Sequence, residues 1–346
     1  MKTQIKVLLT GASGTVGIEV LRQLVLLNDV ELTVFDKKTS ITSKIFAPYK
    51  KRINIIYGDL CNDLDIKQIP DNIDVAIHLA AIIPPLADNK PELAFKVNVL
   101  GTKKIIEHLE EKSPNAFLLY SSSISVYGDR VSNPYITTHD PLLPSDGDTY
   151  ARTKIEAEEM IQNSKLDWSI FRLTAIMKNH KISKLMFHMP LDTMLEICTP
   201  KDAAKAFVEA INHRNVLSKR IFNLGGGEKC CISYENFLQK SFEIFGLGTL
   251  NFPQNTFALR NFHCGILKDG DILESILHFR NDTLDTYFID TERSISFITR
   301  FGCILFRGII KNSLLKQSEP FKAFKTKDKP MLMHFFLKKD YPVINA

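Results

Sequence analysis

The chain has 346 residues, 45% of them hydrophobic and 24% charged, a composition that excludes a disordered, collagen-like or purely coiled-coil protein. Its net charge of +5 sits at one end: residues 301–346 carry nine Lys/Arg against three Asp/Glu, leaving the first 300 at −1. A nucleic-acid partner is therefore not expected, and the basic tail reads as a solvated segment or as one that touches acidic partners or a membrane surface.

The length suits two unequal domains. No run reaches the roughly 18 to 20 apolar residues of an integral membrane segment, since the apolar stretch 301–306 meets Arg307 and Lys311. The first apolar run is too short for a signal peptide and leads directly into glycines, which predicts a cytoplasmic protein. Six cysteines, at positions 61, 198, 230, 231, 264 and 303, form no CxxC pair. Neither a metal site nor a disulfide framework is expected.

Short β-rich apolar runs at 7–10, 32–35, 53–57, 75–79 and 117–120 alternate with helical patterns at 15–27, 92–111 and 149–163. This alternation is that of a parallel, doubly wound α/β sheet whose strands are buried on both faces. A further strand is predicted at 168–172. Thr199-Pro200 has the form of a helix N-cap with proline in the first turn, which starts a helix over 200–211. A last strand at 220–224 and a helix capped by Ser233 and ending near residue 245 follow. Beyond 246 the pattern is irregular.

Strand one runs into Gly11-Ala12-Ser13-Gly14-Thr15-Val16-Gly17 at the head of a helix. Glycines there permit a positive-φ turn and let the backbone approach a pyrophosphate at the positive end of the helix dipole; alone, they also fit a plain tight turn. Asp36, nineteen residues beyond Gly17, ends strand two, where a carboxylate accepts from adenosine ribose hydroxyls and repels a 2′-phosphate. NAD is favoured, with NADP left open by Lys37 and Lys38. Asp59, with Leu60 beside it, ends strand three and is either a turn residue or an adenine contact.

Strand five finishes at Ser121-Ser122-Ser123, and 27 residues past Ser123 stand Tyr150 and Lys154 at i and i+4 on one helical face. A phenol with a pKa near 10 is a weak acid-base catalyst at neutral pH, and a neighbouring ammonium favours its phenolate. The same spacing also occurs in plain surface pairs.

Together with His78-Leu79-Ala80-Ala81, Asn98-Val99-Leu100-Gly101-Thr102 and Val126-Tyr127-Gly128, these residues resemble an extended short-chain dehydrogenase/reductase of the NAD-dependent epimerase/dehydratase superfamily. The likeness covers residues 5–245. It implies a Rossmann-type fold, with an NAD(P)-binding domain over 1–175 continued by about 199–225. Residues 176–198 and 226–346 would form a smaller, partly interleaved substrate region with the basic tail. It further implies Tyr150 as general acid/base, Lys154 as the ribose ligand that lowers the tyrosine pKa, and Ser123 as a hydrogen-bond partner of the substrate oxygen, with Ser121, Ser122 and Ser125 close by as alternatives for that last role. Asn98 would keep the helix geometry and a relay water, while Leu79, Ala80 and Ala81 would line the cofactor cleft.

The expected reaction is hydride transfer between nicotinamide and a hydroxyl or carbonyl carbon of a small-molecule substrate. Sugar-nucleotide epimerisation is the alternative, and a dinucleotide-sensing regulatory protein the more distant one. Dehydration is disfavoured, because Ile124-Ser125 stands where dehydratases of the superfamily carry Asp-Glu. Relatives form homodimers through two long helices, here 92–111 and 149–163. The stretch 182–197, with Met186, Phe187, Met189 and Met194, reads either as an adaptable pocket wall or as a small second core. Arg260, His263 and Arg280 have the chemistry to bind an anionic group but also fit structural positions.

Overall fold

The computed structural model describes residues 4–178 and 182–336. Seven parallel strands, β1 (Ile5–Thr10), β2 (Val30–Asp36), β3 (Ile53–Tyr57), β4 (Val75–His78), β5 (Phe117–Ser123), β6 (Asp167–Leu173) and β7 (Arg220–Leu224), form one sheet in the order β7-β6-β5-β4-β1-β2-β3. Alternation along the strands feeds two cores. Val7 and Leu9 join Val20, Leu24 and Phe207 on one face, while Leu8 joins Ile105, Leu109 and Trp168 on the other. Chain order reverses between β1 and β4, so their carboxyl ends open a crevice, the usual ligand position in doubly wound sheets.

The predicted caps form as hydrogen bonds. Thr199 accepts from the Asp202 nitrogen at the start of helix Pro200–Ala210, and Ser233 accepts from Asn236 at the start of Tyr234–Phe245. The helical pattern at 92–111 is divided into Pro91–Phe95, a π-helical turn at Lys96–Gly101 and Thr102–Lys112.

A third core lies outside the sheet. Met186, Phe187 and Met189 are buried there with Leu195, Phe237, Phe242 and Tyr287. These methionines build a core, and the pocket-wall reading of them is set aside. Residues after 246 are not irregular: helices Gly270–Leu277, Leu284–Ser294, Phe297–Leu305, Arg307–Gln317, Glu319–Thr326 and Lys329–Phe335 follow one another. At 7 to 11 residues each, they are too short to build up much of the 3.6-residue period on which such a prediction rests. Residues 337–346 of the expected tail lie outside the described part. Among the described residues no helix is long and apolar enough to cross a membrane.

Candidate active site

After β1 the chain turns through Gly11 at φ +71°. A Cβ there would stand 2.6 Å from the Ala80 nitrogen, and one on Gly17 would stand 2.1 Å from the Gly11 carbonyl oxygen. The turn is thus backbone packed on backbone, which only glycine allows. Helix Thr15–Leu24 begins at Gly14 without a side-chain cap. Its first N–H groups, at Thr15, Val16 and Gly17, therefore face outward at the positive dipole end, a ready anion cradle. Asp36 accepts from the Ser13 and Lys37 nitrogens, each at 2.8 Å, which fixes the carboxylate against this turn.

Lys37 reaches Asp59 at 2.9 Å. Burial works to raise the Asp59 pKa, but the Cys61 amide and the Lys37 ammonium outweigh it and hold the carboxyl below its ordinary range. Lys37 is therefore engaged away from a ribose phosphate. Leu60 is buried with Phe35 and Val97, while Leu79, Ala80 and Ala81 line the β4 side of the turn at intermediate exposure.

Of the three serines ending β5, Ser121 and Ser122 are buried and Ser123 is the accessible one. Ser122 hydrogen-bonds Glu158, whereas the Ser123 hydroxyl receives the Ser125 hydroxyl at 3.0 Å and lies near enough to the Tyr150 phenol to lower its pKa. Asp148 caps helix Thr149–Gln162 by accepting from Ala151 at 2.8 Å, which sets Tyr150 in the first turn. Lys154, one turn on, is 2% exposed; its Nζ donates to the Ser121 carbonyl at 2.7 Å and the Tyr120 hydroxyl at 3.2 Å. It stands 5.8 Å from the Tyr150 ring centroid.

Burial pushes the Tyr150 phenol well above its ordinary pKa, against the lowering effect of Ser123, and Asp148 pushes it the same way. Burial also brings Lys154 down to about 7, opposed by Glu158. In the protein without cofactor the Lys154 amine is thus directed at the Ser121 carbonyl, 2.7 Å away.

Asn98 is the residue expected to keep the helix geometry, while its partner Thr153 and the threonines around His78 were not read from the sequence. Asn98, inside the π-turn, accepts from Ile82 N at 2.7 Å and donates to Ile82 O at 2.9 Å and Thr153 Oγ1 at 3.0 Å. Thr153 donates in turn to the Tyr150 carbonyl at 2.7 Å. A π-turn places one extra residue in the helix, and such turns often mark functional positions. Behind it, His78 bridges Thr10 Oγ1 at 2.6 Å and Thr102 Oγ1 at 2.9 Å. Thr153, three residues after Tyr150, and a histidine inside an apolar strand were the available signals.

Burial takes the fully enclosed His78 down to about 3, with Lys154 acting in the same direction. Because the unfolded chain takes up this proton below about 6.5 and the folded one does not, stability falls as the pH drops from there towards 3. The slope is at most about 1.4 kcal/mol per pH unit. Urea unfolding at two pH values in this window should show this loss in the wild type, and His78→Gln should lack it. Equal slopes would contradict the buried neutral imidazole.

Below the serines lies a second polar cluster. Arg172 Nη2 meets Glu158 Oε2 at 2.7 Å, Arg172 Nη1 donates to the Tyr127 hydroxyl at 2.9 Å, and Tyr127 donates to Asn223 at 2.8 Å. Ile124 and Ser125 are both buried, so that position offers no acid and base of its own. Arg280 is held by Asp271 and the Gly225 carbonyl. Arg260 lies 3.5 Å from Asp146, and His263 lies 3.7 Å from Asp148. Of these three, only His263 adjoins the tyrosine helix. Cys230 and Cys231 are free thiols, raised by burial to about 11 and about 12.

Residues 8–170 match the model of the 3-beta hydroxysteroid dehydrogenase/isomerase family. That segment spans β1 to β5, the π-turn with Asn98 and the helix with Tyr150. The matched family is one of the extended short-chain dehydrogenases/reductases. Among curated relatives, the 3 beta-hydroxysteroid dehydrogenase/Delta 5-->4-isomerase of Monkeypox virus is 28% identical over 162 residues, 45% of each chain. The sterol-4-alpha-carboxylate 3-dehydrogenase, decarboxylating, of Mus musculus is 30% identical over 172 residues, 50% of this chain and 44% of the mouse protein.

The chain thus spans under half the length of the curated relatives it matches. Over a greater length, the fold resembles that of the UDP-glucuronic acid 4-epimerase of Bacillus cereus, solved with UDP-glucuronic acid and NAD. The TM-score is 0.67 at 18% identity, over 84% of this chain and 100% of that one. The segment that the family model matches holds the glycine turn, the Ser123–Tyr150–Lys154 cluster and its anchors. The third core and the helices after 246 lie outside the segment matched by the family model.

Proposed function

We propose that the chain is an NAD-dependent oxidoreductase that interconverts a secondary alcohol and its ketone on a small, mainly apolar substrate. The observation that carries this reading is the convergence of Ser123, Tyr150 and Lys154 at the carboxyl end of β5, beside an uncapped helix N-terminus at the sheet's crossover. The uncapped turn fits a pyrophosphate and Asp36 fits ribose hydroxyls. Pairing of Lys37 with Asp59 supports NAD over NADP. When bound, the nicotinamide supplies a hydride acceptor or donor.

In the oxidative direction the Tyr150 oxygen, as phenolate, takes the proton of the substrate hydroxyl. The C–H bond of the carbinol carbon breaks with both electrons leaving as hydride, and the C=O bond forms. Ser123 holds the substrate oxygen, Lys154 binds the nicotinamide ribose, and Asn98 with Thr153 keeps the tyrosine helix in register. Reduction reverses each transfer. Ile83 and Leu86, both exposed on the loop that follows β4, suit an apolar substrate. Sterol-acting relatives make a 3β-hydroxysteroid the first compound to try.

The protein is read as a cytoplasmic homodimer that pairs the helices bearing Asn98 and Tyr150, and light scattering tests the dimer. Incubation with NAD and a panel of secondary alcohols should yield NADH and the matching ketone. UDP-sugar inversion without net NADH would instead establish the epimerase reading, and cofactor binding without turnover of any alcohol or UDP-sugar would overturn both. Asp36→Ala should narrow the preference for NAD over NADP roughly tenfold, about 1.4 kcal/mol. An unchanged ratio of Kd values would remove Asp36 from cofactor selection.

A further inference from the structure

A helix on a water-soluble fold turns its apolar stripe inward. Helix Phe297–Leu305 does the reverse. Phe297 and Ile298 are each 82% exposed, and Phe301, Ile304 and Leu305 are between 49% and 64% exposed. Spaced at i, i+1, i+4, i+7 and i+8, these five fall within about 120° of arc at 100° per residue. No residue of this helix is buried, and Cys303 on its other side packs on the third core. Phe306 and Ile309, 52% and 70% exposed, carry the apolar surface into helix Arg307–Gln317. So many large apolar side chains side by side mark an interaction surface.

The charge around this surface says what it meets. Residues 297–336 hold eight Lys/Arg against two Asp/Glu. One of the acids, Glu319, is taken by Lys184 at 2.8 Å and His188 at 3.1 Å. Among the described residues no ion pair forms at Arg307, Lys316, Lys322, Lys325, Lys327 or Lys329, although Arg300 pairs with Glu292 at 2.6 Å. Arg307 and Lys311 also line a cavity of about 490 Å³ with Leu247, Phe252 and Leu315, close in sequence to Phe306 and Ile309. An apolar stripe followed along the chain by cations outside any ion pair matches the boundary of an anionic lipid leaflet, where acyl chains lie beneath phosphate and carboxylate groups. A second copy of this chain would bring the same excess of positive charge to the contact.

We propose that the face formed by Phe297–Leu305 and the start of Arg307–Gln317 docks on an anionic membrane surface, with Phe297, Ile298 and Phe301 entering the acyl boundary. This does not depend on the redox reading, because it is measured without cofactor or substrate. The test is co-sedimentation of the full chain with vesicles of phosphatidylcholine alone or mixed with phosphatidylserine, at low and high salt. The mixed vesicles should bind it at least about tenfold better than the neutral ones, and salt should weaken the binding.

The triple variant Phe297→Ser/Ile298→Ser/Phe301→Ser alters only exposed positions. It should fold with an unchanged Tm and oligomeric state and lose roughly tenfold or more in vesicle binding. Arg307→Glu/Lys316→Glu should lose the preference for phosphatidylserine. Absence of binding to the mixed vesicles, or equal binding by the folded triple variant, would overturn the proposal. So would a self-association in solution that the triple variant abolishes, which would give the face to a second copy.

Discussion

Tyr150→Phe should lower hydride transfer by about 10²- to 10⁴-fold, the range associated with a positioned acid-base group, while NADH binding stays within about a factor of two. The change removes one oxygen from a half-buried side chain and leaves the Asp148 cap and the Asn98–Thr153 anchor in place. The loss should therefore fall on the chemical step. Stopped-flow absorbance of NADH formation, with fluorescence titration of the cofactor, separates the two. Ser123→Ala should act on the same step with a smaller loss. If Tyr150→Phe turned over normally, proton transfer would belong to another group.

The largest expected effect on stability is at the Glu158–Arg172 pair. Both side chains are almost completely enclosed, at 0% and 4% exposure. Arg172→Leu leaves a carboxylate facing the Ser122 hydroxyl without its guanidinium, and breaking a buried pair in this way costs about 3–5 kcal/mol. The double variant Glu158→Leu/Arg172→Leu removes the stranded charge and should recover a large part of the loss. Urea unfolding of wild type, single and double variants completes the cycle. A single variant within about 0.5 kcal/mol of wild type would be the range of an ordinary surface change and would contradict the account. Glu158 also holds the Lys154 pKa up, so Arg172→Leu, which leaves the carboxylate unpaired, should raise the amine's pKa, and the double variant, which removes the carboxylate, should lower it; the pH profile reads that independently of stability.

The legible part of this chain was the part where chemistry and period coincide. Buried β-rich runs separated by amphipathic helices specify the seven strands. A glycine turn between the first strand and the first helix is visible because a Cβ on Gly11 or Gly17 would stand 2.6 or 2.1 Å from backbone atoms, so only glycine fits. The site residues at strand ends were likewise visible, because a motif on a strand-to-helix turn leaves few positions to choose from. Which serine faces the cleft was not, since it depends on where β5 stops alternating and enters the turn at Ile124–Tyr127.

The anchors were hidden for a different reason. His78, Thr10 and Thr102 meet only because β1, β4 and the Thr102–Lys112 helix pack together, and no spacing along the chain encodes that meeting. Residues 182–197 read equally well as wall or core, since methionine and phenylalanine serve both. The C-terminal helices escaped because each has only 7 to 11 residues, too few turns for a period to stand out.

The most direct test of the central claim is the structure of the protein with NAD and a secondary alcohol bound. The account predicts the nicotinamide ring in the crevice between β1 and β5, its C4 facing the carbinol carbon, with the Tyr150 and Ser123 oxygens both within hydrogen-bond distance of the substrate oxygen. A dinucleotide bound with its nicotinamide away from Tyr150, or a substrate oxygen held by other residues, would contradict it.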